Sequence, residues 1–174
     1  DLNDTQIENE LRESQTFFGQ HGINATTIIY PFSEIDENVI RKSEKYYLLG
    51  RVGCLDNKDT NLIYSKQPSI DDIEKNCINA DPKASNFKIK SIGINEKIYS
   101  SAWLTYILSN VSMINSTVWL NFHFHGIADN VTNDNLQLSD KNFKEILKIM
   151  NENNVTVHTI KDANIIYEQM IKNV

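Results

Sequence analysis

Two histidines, His123 and His125, stand two residues apart in the stretch Val-Trp-Leu-Asn-Phe-His-Phe-His at 118–125. This is the densest run of aromatic and β-branched side chains in the chain, and its length suits a strand. Side chains two apart on a strand leave the same face, so the two imidazoles converge wherever that face lines an interior. Such a pair suits two zinc ligands, or one proton-donating histidine beside a lining residue. The competing explanation is a strand-end histidine satisfied by backbone hydrogen bonds, because His-x-His is a short pattern with many accidental matches. A catalytic zinc takes three protein ligands. His21 falls in a helix-to-strand turn, His158 falls inside an expected strand, and Asp129, just past the expected strand end, is the one candidate for a third donor. Acids in polar loops are ordinarily only solvated, so no residue of this chain is assigned a metal-binding role.

The second stretch of interest is Tyr30-Pro31-Phe32-Ser33, which closes a β-branched run at 25–30. In parallel α/β sheets and barrels, reactive groups gather at the carboxyl ends of strands, and both stretches are expected there. Other chemistries find less support. Neither Ser33 nor Cys54 sits in a glycine-flanked elbow, and no glycine loop able to cradle phosphate is present. Glu34, Asp56 and Asp129, the acids that could pair for glycoside hydrolysis, fall in expected loops or helix starts.

The elements that must position these groups follow from periodicity. Ile7, Leu11, Ser14 and Phe18 mark one face of a helix over 4–20, closed by Gly19 or Gly22. After the strand at 25–30, acids precede bases over 34–46, the order that complements a helix dipole. A strand over 47–54 carries Gly50 and Gly53, which point to a bulge or to close packing. Residues 55–68 form a loop, and Ser69 caps a short helix that turns Ile70, Ile73 and Cys77 inward. Residues 87–94 alternate as a strand with one wet face, and Leu104, Ile107, Leu108 and Val111 return to helical spacing. The strand at 118–125 leads through a polar loop at 128–138 to a helix capped by Ser139, with Phe143, Ile146, Leu147 and Met150 inward. A last strand at 155–160 and a last helix at 163–172 complete an alternation that implies an α/β fold, a parallel sheet with crossover helices.

Composition narrows the functions. The 174 residues, 40% apolar and 23% charged, suit one domain over 1–174. A net charge of -6 without a basic cluster gives no footprint for nucleic acid, and no run of apolar residues is long enough for a transmembrane segment. Cys54 and Cys77 exclude a disulfide framework or a cysteine-built zinc site and leave one possible bridge. The chain opens on Asp1 without a signal-like stretch, so a removed or separate upstream segment is expected. Sequons at Asn3, Asn24, Asn110, Asn115, Asn130 and Asn154 are weak evidence for export in a chain this rich in Asn, Ser and Thr, and leave the compartment open.

Taken in order, these pieces resemble the polysaccharide deacetylase family of carbohydrate esterases. His21-Gly22-Ile23 after the first helix, Tyr30-Pro31-Phe32-Ser33, the segment 119–127 ending His125-Gly126-Ile127, and the closing helix and strand are each similar to a segment of that family. The resemblance implies an incomplete (β/α) barrel of the polysaccharide deacetylase type, whose open edges would favour self-association. It also implies a metal-dependent hydrolase that removes acetyl groups from an N-acetylated polysaccharide or oligosaccharide. His125 would be the general acid and the backbone N–H of Phe32 an oxyanion donor, with Tyr30, Pro31, His123 and Trp119 on the substrate. The family's divalent metal, usually zinc, is held by one Asp and two His. Its Thr-Phe-Asp-Asp-Gly segment and its spaced histidine pair are not in this sequence. The metal is therefore expected only if such ligands precede Asp1. The alternative is a non-catalytic carbohydrate-binding or structural relative in which Trp119, Tyr30, Phe32 and Trp103 supply packing or a sugar platform, Trp103 being the one expected in the core.

Overall fold

A computed structural model describes residues 2–54, 69–79, 86–114, 118–131 and 136–171. It is a mixed α/β structure with six α-helices and short parallel strand pairs among the described residues. The helices are α1 (Asp4–Gln20), α2 (Glu37–Ser43), α3 (Ile70–Cys77), α4 (Ser101–Val111), α5 (Asp140–Glu152) and α6 (Ile160–Ile171). The strands are β1 (Thr27–Ile29), β2 (Leu49–Arg51), β3 (Ile92–Gly93), β4 (Phe122–His123), β5 (Gly126–Ala128) and β6 (Gln137–Ser139). Parallel pairing joins β1 to β2, β3 to β4, and β5 to β6 as three two-stranded sheets, with no closed barrel among the described residues.

The chain divides into two compact units. The first holds α1, α2, β1, β2, the segment 86–89 and α6. Here α1 begins on a reciprocal cap, Asn3 accepting from the Gln6 amide at 3.0 Å while the Gln6 side chain accepts from the Asn3 amide at 2.9 Å. It ends where Gly22, at φ 70°, turns the chain, the Ile23 and Gly22 amides donating back to Phe18 and Gly19. Tyr46 and Lys45, which follow α2, reach Glu8 on α1 at 2.7 and 3.1 Å. The Tyr46 hydroxyl foremost, then Lys45, holds the Glu8 carboxyl below its ordinary pKa. Leu11, Tyr30, Ile40, Tyr47, Val52 and Phe87 form the core. Segment 86–89 flanks β2 on its other side: Gly50 donates to Asn86 at 2.8 Å and accepts from Ile89 at 2.9 Å. A Cβ on Gly50 would stand 2.6 Å from the Tyr30 hydroxyl and 3.0 Å from the Phe87 backbone, so close packing, and no bulge, is the reason for this glycine.

The second unit holds α3, α4, α5 and β3–β6. Ser69, Ser100 and Ser139 each accept from the amide three residues on, which starts α3, α4 and α5. Ile73, Cys77, Trp103, Leu104, Ile107, Ile146 and Met150 supply helix faces to a core completed by Ile92, Ile94 and Leu138. Asn79 ties two segments together: its side chain accepts from the Lys90 amide at 2.8 Å and donates to the carbonyls of Lys90 and Trp119 at 3.1 and 3.3 Å. Cys54 and Cys77 form a disulfide with a Cα separation of 5.0 Å, so the possible bridge is present.

Two expectations are corrected. The polar stretch after residue 125 contributes β5 and β6 at its ends, where only a loop was expected. Conversely, residues 155–159 join no strand. Asn154 adopts a left-handed φ of 54° and the Val155 amide bonds back to Met150, so these residues leave α5 on a closed turn, and Val157 is 67% exposed. β-branched residues favour a pleated, half-buried surface, and none is offered to them here. The loop expected at 55–68 lies outside the described residues.

The tight Tyr30–Gly50 contact predicts that Gly50→Ala destabilises the protein by about 1–3 kcal/mol in urea unfolding. The disulfide closes a chain segment of 23 residues, and its reduction, or paired replacement by Ser, should cost about 3 kcal/mol in the same measurement.

Candidate functional site

The 118–125 segment has two unlike faces. Val118, Leu120, Phe122 and Phe124 pack against the core of the second unit. Trp119, Asn121, His123 and His125 alternate with them and therefore leave from the opposite face. The neighbouring strand follows the same rule: Ile92 and Ile94 lie in the core, which puts Ser91 and Gly93 with the histidines. Gly93 is the register partner of His123, so the imidazole meets no side chain directly across the ladder and can reach the diagonal neighbour Ser91.

That reach is made. Ser91 Oγ and His123 Nδ1 share a hydrogen bond of 3.1 Å, and Ser91 is fully buried. His125 lies just past the ladder and is exposed, its ring edge-on to that of His123 with centroids 5.6 Å apart. The structure thus brings the two histidines together, one anchored at a buried hydroxyl and the other open to solvent. An anchored imidazole next to an exposed one is suited to holding and delivering a proton. Asn121 is 9% exposed, and its side-chain Nδ2 is buried without an acceptor.

Asp129, the one candidate for a third donor, does not join them, and neither do the other histidines. Asp129 is exposed beyond β5, His21 bonds through Nδ1 to the Phe17 carbonyl at 2.8 Å, and His158 stands in the exposed stretch after α5. Asp56 lies outside the described residues, and both cysteines are consumed by the disulfide. Among the described residues no three His, Cys, Asp or Glu side chains gather as a metal-ligand set. The described side chains thus supply no complete ligand set by themselves, and no chemical step is derived through a metal.

In the first unit, the end of β1 separates the residues of the other stretch. The Tyr30 ring is only 3% exposed and fills the space over Gly50, so it belongs to the core and presents no surface to a sugar. Burial raises its pKa, the neighbouring Ser43 hydroxyl offsetting part of the effect. Pro31 is exposed, and Phe32 places an 89% exposed ring on a backbone with φ 55°, followed by Ser33 at φ 59°. Consecutive left-handed residues with side chains are strained and are held by their surroundings. Here the Ser33 and Glu34 amides bond back to the carbonyls of Tyr30 and Pro31. Trp103 is core at 4% exposure, as expected, whereas Trp119 is half-buried and its carbonyl is held by Asn79.

Ser91 and Asn121 are the residues that the pattern of histidines did not single out. Asn121 carried a signal, since a polar residue two before His123 must share its face. Ser91 carried none, because its role depends on which strand lies alongside. Comparison with known proteins gives no match to a family model, to a curated protein or to a solved structure. Among the described residues no helix is long and apolar enough to cross a membrane.

The left-handed backbone at residue 32 makes a separate prediction. Phe32→Gly should leave stability unchanged or raise it by up to about 1 kcal/mol, whereas Phe32→Ala, which keeps the Cβ, should change it by less than about 0.5 kcal/mol. Urea midpoints check this, and a clear loss in the glycine variant would contradict the backbone described.

Proposed function

We propose that the chain acts in deacetylation of an N-acetylated polysaccharide or oligosaccharide, with His125 as the general acid. The observation that carries this reading is the histidine pair at the carboxyl end of β4, His125 exposed beside a His123 anchored on Ser91. Amide hydrolysis passes through a tetrahedral intermediate whose nitrogen leaves poorly as an anion. An imidazolium within reach protonates that nitrogen as the C–N bond breaks, and the neutral imidazole recovers a proton from solvent. His123 acts on His125 by position: its ring is held by Ser91 and packs against the edge of the acid.

The reading comes from the resemblance to polysaccharide deacetylases, in which the parallel pairs would be parts of an incomplete (β/α) barrel. Metal dependence belongs to the same resemblance. The Asp and His ligands of that family have no counterpart among the described residues, so the chelator arm of the test addresses the metal directly.

A second reading is a non-catalytic carbohydrate-binding module. It is favoured by one observation, the exposed Phe32 ring on a backbone fixed in a strained turn, an arrangement suited to stacking on a sugar face.

Acetate release from chitin oligomers by the intact protein, with and without chelator and beside His125→Ala, separates the two. Deacetylation predicts a loss of about 10²–10⁴-fold on removing the acid and a loss on chelation. No acetate release by the wild type, with oligomer binding that Phe32→Ala weakens, would replace the enzymatic reading by the second. Equal rates in all three samples would sink the mechanism.

A further inference from the structure

The Asn-x-Ser/Thr triplets at Asn3, Asn24, Asn110, Asn115, Asn130 and Asn154 play no part in the function proposed above, and the fold places them in unlike surroundings. Asn110 lies within α4, half-buried, its carboxamide donating to the Tyr106 carbonyl at 2.8 Å. Asn3 uses its side chain to cap α1. Asn115, and the Thr132 that completes the Asn130 triplet, lie outside the described residues. Asn24 and Asn154 remain, and in both the whole triplet is described. Asn24 is exposed in the irregular segment between the Gly22 turn and β1, and Asn154 is exposed on the left-handed turn that closes α5. Neither stands in a helix or strand, so each can carry a bulky hydrophilic group at the surface without displacing a packed neighbour.

The Cys54–Cys77 bridge is an independent observation that points the same way. Structural disulfides form and persist in oxidising compartments outside the cytosol, and Asn-x-Ser/Thr triplets receive oligosaccharide on exported chains. Cys77 is fully buried in the core of the second unit, which makes the bridge part of a folded interior. We propose that Asn24 and Asn154 are N-glycosylation sites, an inference that goes beyond the deacetylase reading and does not rest on it. The co-substrate is an oligosaccharide carried on a lipid phosphate or diphosphate. The Asn Nδ2 forms a bond to C1 of the first sugar, the C1–O bond to phosphate breaks, the amide gives up one proton, and the lipid phosphate leaves. The hydroxyl two residues on, Thr26 or Thr156, is the group that the transferring enzyme reads. Each site also has an exposed apolar side chain close by in sequence, Ile23 at 52% and Val157 at 67%. A hydrated glycan on Asn154 stands next to the largely β-branched residues 155–159, which join no strand, and screens them from pairing with another molecule.

The test is peptide mapping of the protein isolated from the cells that make it. Peptides covering Asn24 and Asn154 should carry a sugar mass on the asparagine, released as oxonium ions in tandem mass spectrometry, and the Asn110 peptide should be unmodified. Expressed in the same cells, Thr26→Ala and Thr156→Ala should each abolish the modification two residues earlier and leave the other site occupied. Thr26→Ser and Thr156→Ser, which keep the hydroxyl, should retain it. The mapping reads peptides, so it remains decisive for a variant that folds poorly. Alkylation without reduction should label neither Cys54 nor Cys77. Recovery of both wild-type peptides bare, or a modification that survives the alanine variants, overturns the proposal. Free thiols at both cysteines overturn it as well, and one bare asparagine overturns the assignment of that residue.

Discussion

An extended chain sends successive side chains to opposite faces, and the second unit depends on that rule more than on any single bond. Along 118–125 the apolar members of the alternation close the core and the polar members are left together on the other side. Shifting the register by one residue would bury the histidines and expose the phenylalanines, so the hydrophobic effect that fixes the core also fixes which groups form the site. The anchoring of His123 on Ser91 follows from the same register, because Gly93 stands opposite the imidazole and leaves the diagonal open.

Such short strands cannot carry the fold by their ladders. The second unit's β3 and β4 are each two residues long, and much of what holds them is side-chain work: helix faces from α3, α4 and α5 packed beneath, and the Asn79 amide clamped onto both Lys90 and Trp119. In the first unit a missing side chain plays the corresponding part. Gly50 leaves a hollow on β2, the Tyr30 ring fills it, and β1 and the segment 86–89 close on either side. In both units the packing around a strand, rather than its length, holds the groups at its end.

Helices were legible in the sequence because their signals are local. The spacing of Ile7, Leu11 and Phe18, and the serines at 69 and 139, give elements with nearly the expected bounds. Strands were less so, because a ladder needs a partner whose position the local sequence does not specify. Residues 155–159 have the right composition and join no ladder, whereas β5 and β6 are only three residues long and still pair with each other. The site was legible in the same partial way. Period two placed His123 and His125 on one face, but Ser91 enters through a neighbouring strand, and the burial of Tyr30 depends on a glycine twenty residues away in sequence.

The Cys54–Cys77 bridge changes what a break in the backbone means. A peptide bond cut anywhere between those two residues leaves the pieces joined through sulfur. The nicked molecule keeps its mass but for one added water, and β2 and α3 stay tethered across the gap. Electrophoresis would show one band without reductant and two with it. Wear on this part of the chain, whether from proteases or from storage, would thus accumulate unseen until the bond is opened.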